Sequence, residues 1–274
     1  INNYAYKYGG AMYFDGWTGY IPQWVTNCLV ADNSARLEGA GLSCNGGSYA
    51  KMTNCTVVNN SVFSLEGSGG GVSCAEFSAW VEIISSILWD NTAPNGAQIA
   101  VGTTRGSHPF GPYADVDVWN SDIQGGEGEV FLEDPTQTYT ALFWWNGNID
   151  LDPMFIKTTD STSIFDQTYY LSQYQAGQIM DSSGNIVDPN VNPGDANSPC
   201  IDAGLGDADA LAAALGFSVT TRTDHVADEG TVAANGDKGR VNMGYHYKAS
   251  PPAAPVQYRL TIQVVDAGYG LNGR

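Results

Sequence analysis

The chain has 274 residues, with 11 Lys plus Arg against 29 Asp plus Glu and a formal net charge of −18. So acidic a surface excludes a phosphate-neutralising nucleic-acid binder and disfavours anionic membranes, and no stretch approaches the about 18 consecutive apolar residues of a membrane span. Only 15% of residues are charged while 33 are glycine, so polar turns carry the solubility, the habit of all-β folds with many corners and not of a helical bundle.

Short alternating segments recur from the first residues onward. Gly9-Gly10-Ala11-Met12-Tyr13-Phe14 is matched by Gly39-Ala40-Gly41-Leu42-Ser43-Cys44, Gly69-Gly70-Gly71-Val72-Ser73-Cys74 and Gly96-Ala97-Gln98-Ile99-Ala100-Val101, with spacings of 30, 30 and 27. A second register runs through Val25-Thr26-Asn27-Cys28, Met52-Thr53-Asn54-Cys55, Ile83-Ile84-Ser85-Ser86 and Val118-Trp119-Asn120-Ser121, with spacings of 27, 31 and 35. Alternation of apolar residues within each segment gives one inward face per strand, and helical spacing is absent. A unit of about 30 residues is too small to bury its apolar face alone, so the units stack. The expected fold is all-β, a parallel β-helix of roughly 27–35 residues per coil, with equivalent residues one interstrand step apart.

Asn33, Asn60 and Asn91 follow the second strand at a constant offset, and Asn3 lies seven residues before Gly10 as Asn33 lies seven before Ala40. Stacked amides can hydrogen-bond along the axis, donor to acceptor, and Asn tolerates the left-handed backbone of a tight corner. A structural ladder is expected there. The placement of Asn3 also says that the chain begins inside a coil, leaving an open N-terminal edge for self-association or for a capping chain.

Residues 1–134 carry the regular coils, and 135–250 carry looser ones. The looser part includes Asp207–Leu215, which reads as one short helix. Residues 251–256 form a Pro/Ala linker, extended because proline fixes φ, and 257–274 read as the first strand of a following domain.

The later segments Gly147-Asn148-Ile149-Asp150-Leu151-Asp152-Pro153-Met154-Phe155, Tyr169-Tyr170-Leu171-Ser172, Ser198-Pro199-Cys200-Ile201-Asp202-Ala203-Gly204 and Val241-Asn242-Met243-Gly244-Tyr245-His246-Tyr247 complete a pattern. With the two registers it resembles the right-handed parallel β-helix repeat proteins of bacterial surfaces and of secreted polysaccharide-acting enzymes. The resemblance covers residues 1 to about 250. It implies right-handed coiling and an extracellular or cell-surface location, and it specifies no activity.

Cys28 with Cys55, and Cys44 with Cys74, take equivalent inward positions, so each pair's Cα atoms fall within disulfide range, although stacked parallel side chains often fail the dihedral requirement. Buried free thiols and disulfides both remain open, and Cys200 is left over. No Cys-x-x-Cys or His-x-x-x-His spacing supports zinc, and His108, His225 and His246 stand apart from any nucleophile pattern.

Chemistry on such a scaffold needs outward columns or corner loops. Lys51, Glu82 and Asp117 fill the outward position that Trp24 holds in the first coil, a base and a charge neutraliser of the kind a polysaccharide lyase or glycoside hydrolase needs, or an ordinary surface ion pair. Asp150 and Asp152 are candidate calcium ligands, since hard carboxylate oxygens suit that ion, but two fall short of its six to eight oxygens. Aromatics gather between the two registers: Trp17 and Tyr20, Tyr49, Phe77 and Trp80, then Phe110 and Tyr113. Stacking would line these rings along one edge, where they lie against a polysaccharide or a protein partner, or fold down over the corner. The expected function is a non-catalytic scaffold or binding module of a larger bacterial surface or secreted protein. The competing readings are a β-helix lyase or hydrolase and a structural subunit that assembles end to end.

Overall fold

The computed structural model describes residues 1–16, 21–102, 113–136, 138–156, 169–171, 179–180, 186–187, 198–207, 210 and 240–245. The parallel strands stack as a β-solenoid of about four turns. Sheet I stacks Met12–Asp15, Leu42–Asn45, Val72–Ala75, Ile99–Val101 and Phe131–Leu132; sheet II stacks Gln23–Thr26, Tyr49–Thr53, Ala79–Ile84, Ala114–Trp119 and Thr140–Trp144. Sheet III stacks Leu29–Ala31, Thr56–Val58, Ile87–Trp89 and Asp122–Ile123, and a short sheet IV stacks Tyr4–Ala5, Ser34–Ala35 and Ser61–Val62. Every pairing in these four sheets is parallel, and the two sequence registers align as expected, with Met12, Leu42, Val72 and Ile99 as successive partners and Val25, Met52, Ile83 and Val118 likewise. The helix expected over 207–215 lies outside the described residues apart from Asp207 and Ala210, and residues 251–274 lie outside them altogether.

The inward residues make one continuous core in which Leu42, Val72 and Ile99 from sheet I meet Met52, Val81, Ile83 and Val118 from sheet II and Val57, Leu88 and Ile123 from sheet III. The turn entering sheet I explains the glycine signature. Gly9, Gly39, Gly69 and Gly96 all adopt positive φ, between 57° and 65°, a region that costs an L-residue roughly 1–2 kcal/mol.

Two corners are turned by Asn, Asp and Ser instead. Asn27, Asn54, Ser85 and Asn120 take positive φ between sheets II and III, and Asn2, Asp32, Asn59 and Asp90 take it before the Asn ladder. That ladder forms as expected: the Nδ2 of Asn3, Asn33 and Asn60 each donates to the Oδ1 of the next Asn at 2.8–2.9 Å, and each backbone N–H donates to the same oxygen at 2.9–3.0 Å. Asn91 closes it by donating to Gln98 Oε1 at 2.6 Å, and Gln98 passes the chain to Gln124 at 3.0 Å.

A second column was not foreseen. Ser86 Oγ accepts the N–H of Cys55, Ser121 Oγ accepts that of Ser86, and Asn148 Oδ1 accepts that of Ser121, all at 3.0–3.1 Å. Each side chain thus satisfies the backbone donor of the coil before it.

The C-terminal segments 198–205 and 240–245 pack on the outer side of sheet III. Asn54 Nδ2 donates to Asn242 O, Ser85 Oγ accepts Leu205 N–H, Thr56 Oγ1 accepts Tyr245 N–H, and Ile87 joins Leu171, Cys200 and Met243 in a second apolar cluster.

Asn60 sits at the centre of its ladder, fully buried, with further donations to Val30 O and Val58 O. Asn60→Ala should therefore cost about 2–3 kcal/mol in urea denaturation by stranding buried partners, while Asn3→Ala, at the exposed end of the same ladder, should cost less than about 1 kcal/mol.

Candidate functional site

The outward face of sheet II gathers most of the functional candidates that the structure describes. Trp24, Lys51, Glu82, Asp117 and Phe143 are successive Cα partners and form one row across all five strands. Parallel pairing in register makes that row obligatory, because outward residues of neighbouring strands stand one interstrand step, about 4.8 Å, apart. Tyr49, Trp80 and Asp115 form a flanking row, and Ile84 pairs with Trp119 in the opposite flank.

Within the row each charge is already engaged. Lys51 Nζ lies 2.5 Å from Glu82 Oε2 and 5.5 Å from the centroid of the Trp24 ring. The same Glu82 oxygen accepts the Tyr49 hydroxyl at 2.8 Å. Asp117 receives an indole N–H on each carboxylate oxygen, from Trp80 on Oδ2 and Trp145 on Oδ1, both at 2.7 Å. Two carboxylates one strand apart would repel; here a cation and a phenol hold one, and two indoles hold the other. Burial, with the hydrogen bond and charge of Glu82, pushes the Tyr49 phenol well above its ordinary range, so it stays a neutral donor.

The rings are locked by the same contacts. Tyr49 stacks on Trp80 with centroids 4.4 Å apart and planes 8° from parallel, and Trp119 stacks on Trp145 at 4.2 Å and 9°. Tyr49, Trp80 and Trp119 are thus used on one another or on Trp145. Trp24 and Phe143 remain exposed, at 55% and 44%, and Trp145, stacked on one side, is still 42% exposed.

Tyr49 and Trp80 were expected in corner loops and instead lie inside strands of sheet II. Phe77 does lie in the turn before it, exposed, within a run of three positive-φ residues, Glu76, Phe77 and Ser78. Tyr113 sits just before its strand, exposed and edge-on to Tyr139 at 5.5 Å. Trp17, Tyr20 and Phe110, with His108, His225 and His246, lie outside the described residues.

A second ring cluster escaped the sequence reading. Tyr4 and Phe63 stack at 6.1 Å on sheet IV, beside Tyr6, whose ring takes the Arg36 guanidinium at 5.4 Å. Its trace in the sequence is slight: Tyr4 and Tyr6 on either side of Ala5 and Phe63 just after the Ser61–Val62 strand, with no ring in the coil between.

Asp150 and Asp152 are used locally: Asp150 Oδ1 accepts Gly125 N–H at 2.9 Å and Asp152 Oδ1 accepts Met154 N–H at 2.8 Å. Among the described residues no group of three or more His, Cys, Asp and Glu stands as a metal set. Their negative charges do act on Asp122, which is fully buried under the C-terminal segment, accepts the Cys200 thiol at 3.0 Å and accepts Leu151 N–H at 3.2 Å. Burial is the main cause that lifts Asp122 to about 7, with Asp150 and Asp152 adding to it and the Cys200 thiol opposing.

Comparison with protein-family models, curated proteins and solved structures finds no match to the chain.

Because Asp122 is raised in the folded state, the folded chain holds a proton that the unfolded chain has lost. Its contribution therefore favours folding below the ordinary carboxylate range and fades as pH climbs from about 4 to about 7. Urea unfolding of the wild type should lose stability over that window relative to Asp122→Asn, by on the order of 2–4 kcal/mol; parallel pH profiles for the two proteins would refute the assignment.

Proposed function

We propose that the chain is a non-catalytic binding module, a right-handed β-solenoid of a secreted or surface protein, that holds a neutral polysaccharide along the outward face of sheet II. The observation that carries the reading is the commitment of the row's charges: Lys51 neutralises Glu82, and Asp117 is held by two indoles. A general base or charge neutraliser must be free to meet a substrate proton or carboxylate, and these groups are spent on one another. Right-handed coiling is what parallel crossover connections adopt.

A polysaccharide suits the remaining features. Trp24 and Phe143 stand at the two ends of the row, four interstrand steps or roughly 19 Å apart, as exposed rings that pack against the apolar faces of sugars. Between them the Lys51–Glu82 pair keeps part of its surface open, a neutral polar patch that suits sugar hydroxyls. The net charge of −18 repels uronate and sulfate polymers, so the ligand is hydroxyl-rich and uncharged. An extended polymer laid across the strands meets the same spacing at every step, which a compact ligand does not.

A glycan array with neutral, uronate and amino-sugar polymers tests this. The expected result is retention of neutral polymers, weakened about tenfold or more by Trp24→Ala or Phe143→Ala, with unchanged thermal unfolding and no new reducing ends. Cleavage that disappears in Lys51→Ala would replace the module with the lyase or hydrolase. Retention of uronate polymers, or of a protein with no glycan, would remove the charge argument.

A further inference from the structure

We propose that Cys28 and Cys55 are a modification site: a hydroperoxide closes them into a disulfide that staples the first coil to the second, while Cys44 and Cys74 stay reduced. The two cysteines sit at the same corner between sheets II and III. Thr26 pairs with Thr53 before them and Leu29 with Thr56 after them, and Thr56 N–H donates to Cys28 O at 3.0 Å. Their backbones are thus one interstrand step apart, about 4.8 Å, inside the Cα range a disulfide spans. Their thiols turn to the same patch of backbone, Cys28 Sγ donating to Thr26 O at 3.2 Å and Cys55 Sγ to Val25 O at 3.3 Å.

Access separates this pair from the other. Cys28 is half-buried in the first coil, with fully buried Cys55 directly behind it. Cys44 and Cys74 are register partners too, but both are sealed in the core. The neighbouring Cys55 thiol holds Cys28 down to about 7, whereas burial pushes Cys55 well up. One member is therefore a reachable nucleophile and the other a resolving thiol.

The position does not require cysteine for packing. The later coils place Ser86 and Ser121 there, and their hydroxyls cap the preceding backbone N–H.

The chemistry balances with a hydroperoxide as oxidant. The Cys28 thiolate attacks the terminal peroxide oxygen, the O–O bond breaks and, for hydrogen peroxide, water leaves after protonation, giving a sulfenic acid. Cys55 sulfur then attacks Cys28 sulfur, the S–O bond breaks, and the Cys55 proton leaves with the departing hydroxide as a second water.

The test uses the full chain, reduced and then treated with hydrogen peroxide, followed by alkylation and peptide mass mapping. The expected product is one cross-linked peptide pair joining Cys28 to Cys55, with a melting temperature raised by about 5 °C or more, and with Cys44 and Cys74 recovered as thiols once the chain is denatured. Cys28→Ser and Cys55→Ser should fold with near wild-type reduced stability and lose both the cross-link and the shift. A Cys28 sulfinic acid beside an alkylatable Cys55, a Cys44–Cys74 bond formed as fast, or a lowered melting temperature would each overturn the proposal.

Discussion

Parallel in-register pairing places every residue beside its own equivalent in the next coil, and that constraint shapes everything else in this molecule. A chemical choice made once is repeated vertically, so each column must be compatible with itself. Apolar columns satisfy this at no cost and become the core. Amides satisfy it because they carry both a donor and an acceptor, which lets Asn3, Asn33, Asn60 and Asn91 hand a hydrogen bond up the stack. Hydroxyls satisfy it differently, as Ser86 and Ser121 do, by accepting from the backbone below.

Charges satisfy the constraint worst, and the sheet II row shows the remedy. Glu82 and Asp117 are direct neighbours, an arrangement that like charges disfavour. The cation sits on the far side of Glu82, and the indoles of Trp80 and Trp145 approach Asp117 from the flanks. Aromatic rings are thus recruited as hydrogen-bond donors as much as for apolar area. The face that results is preorganised, its side chains fixed before any ligand arrives, which lowers the ordering cost of binding.

Much of the architecture was legible because periodicity survives in a one-dimensional string. The spacing of Met12, Leu42, Val72 and Ile99, and the constant offset of the Asn residues, translate directly into neighbours. The column of Lys51, Glu82 and Asp117 was legible for the same reason. What had no period was hidden. Asp122 and Cys200 meet across 78 positions, and nothing in either neighbourhood announces the contact. Tyr49 and Trp80 were misplaced into loops because a ring at a strand's first outward position reads like a ring in the preceding turn. The exposed cluster of Tyr4, Tyr6 and Phe63 was missed because an apolar side chain carries no label saying which face it takes.

The distribution of covered and open faces narrows where function can reside. On sheet I the outward Ser43 and Ser73 are fully buried, lying against the glycine column so closely that a Cβ on Gly39 or Gly69 would fall 2.7–2.8 Å from Ser43 Cα and Ser73 Cβ. Sheet III carries the C-terminal segment over Thr56, Ile87 and Asp122. Sheet IV is open but only two residues wide, and Arg36 beside it is already engaged by Tyr6. Among the described residues, sheet II alone combines five strands, exposed rings at both ends of its central row and a preorganised set of paired polar groups between them. Among the described residues, a solenoid that covers two faces and narrows a third leaves one extended surface, and the ring-and-carboxylate row stands on it.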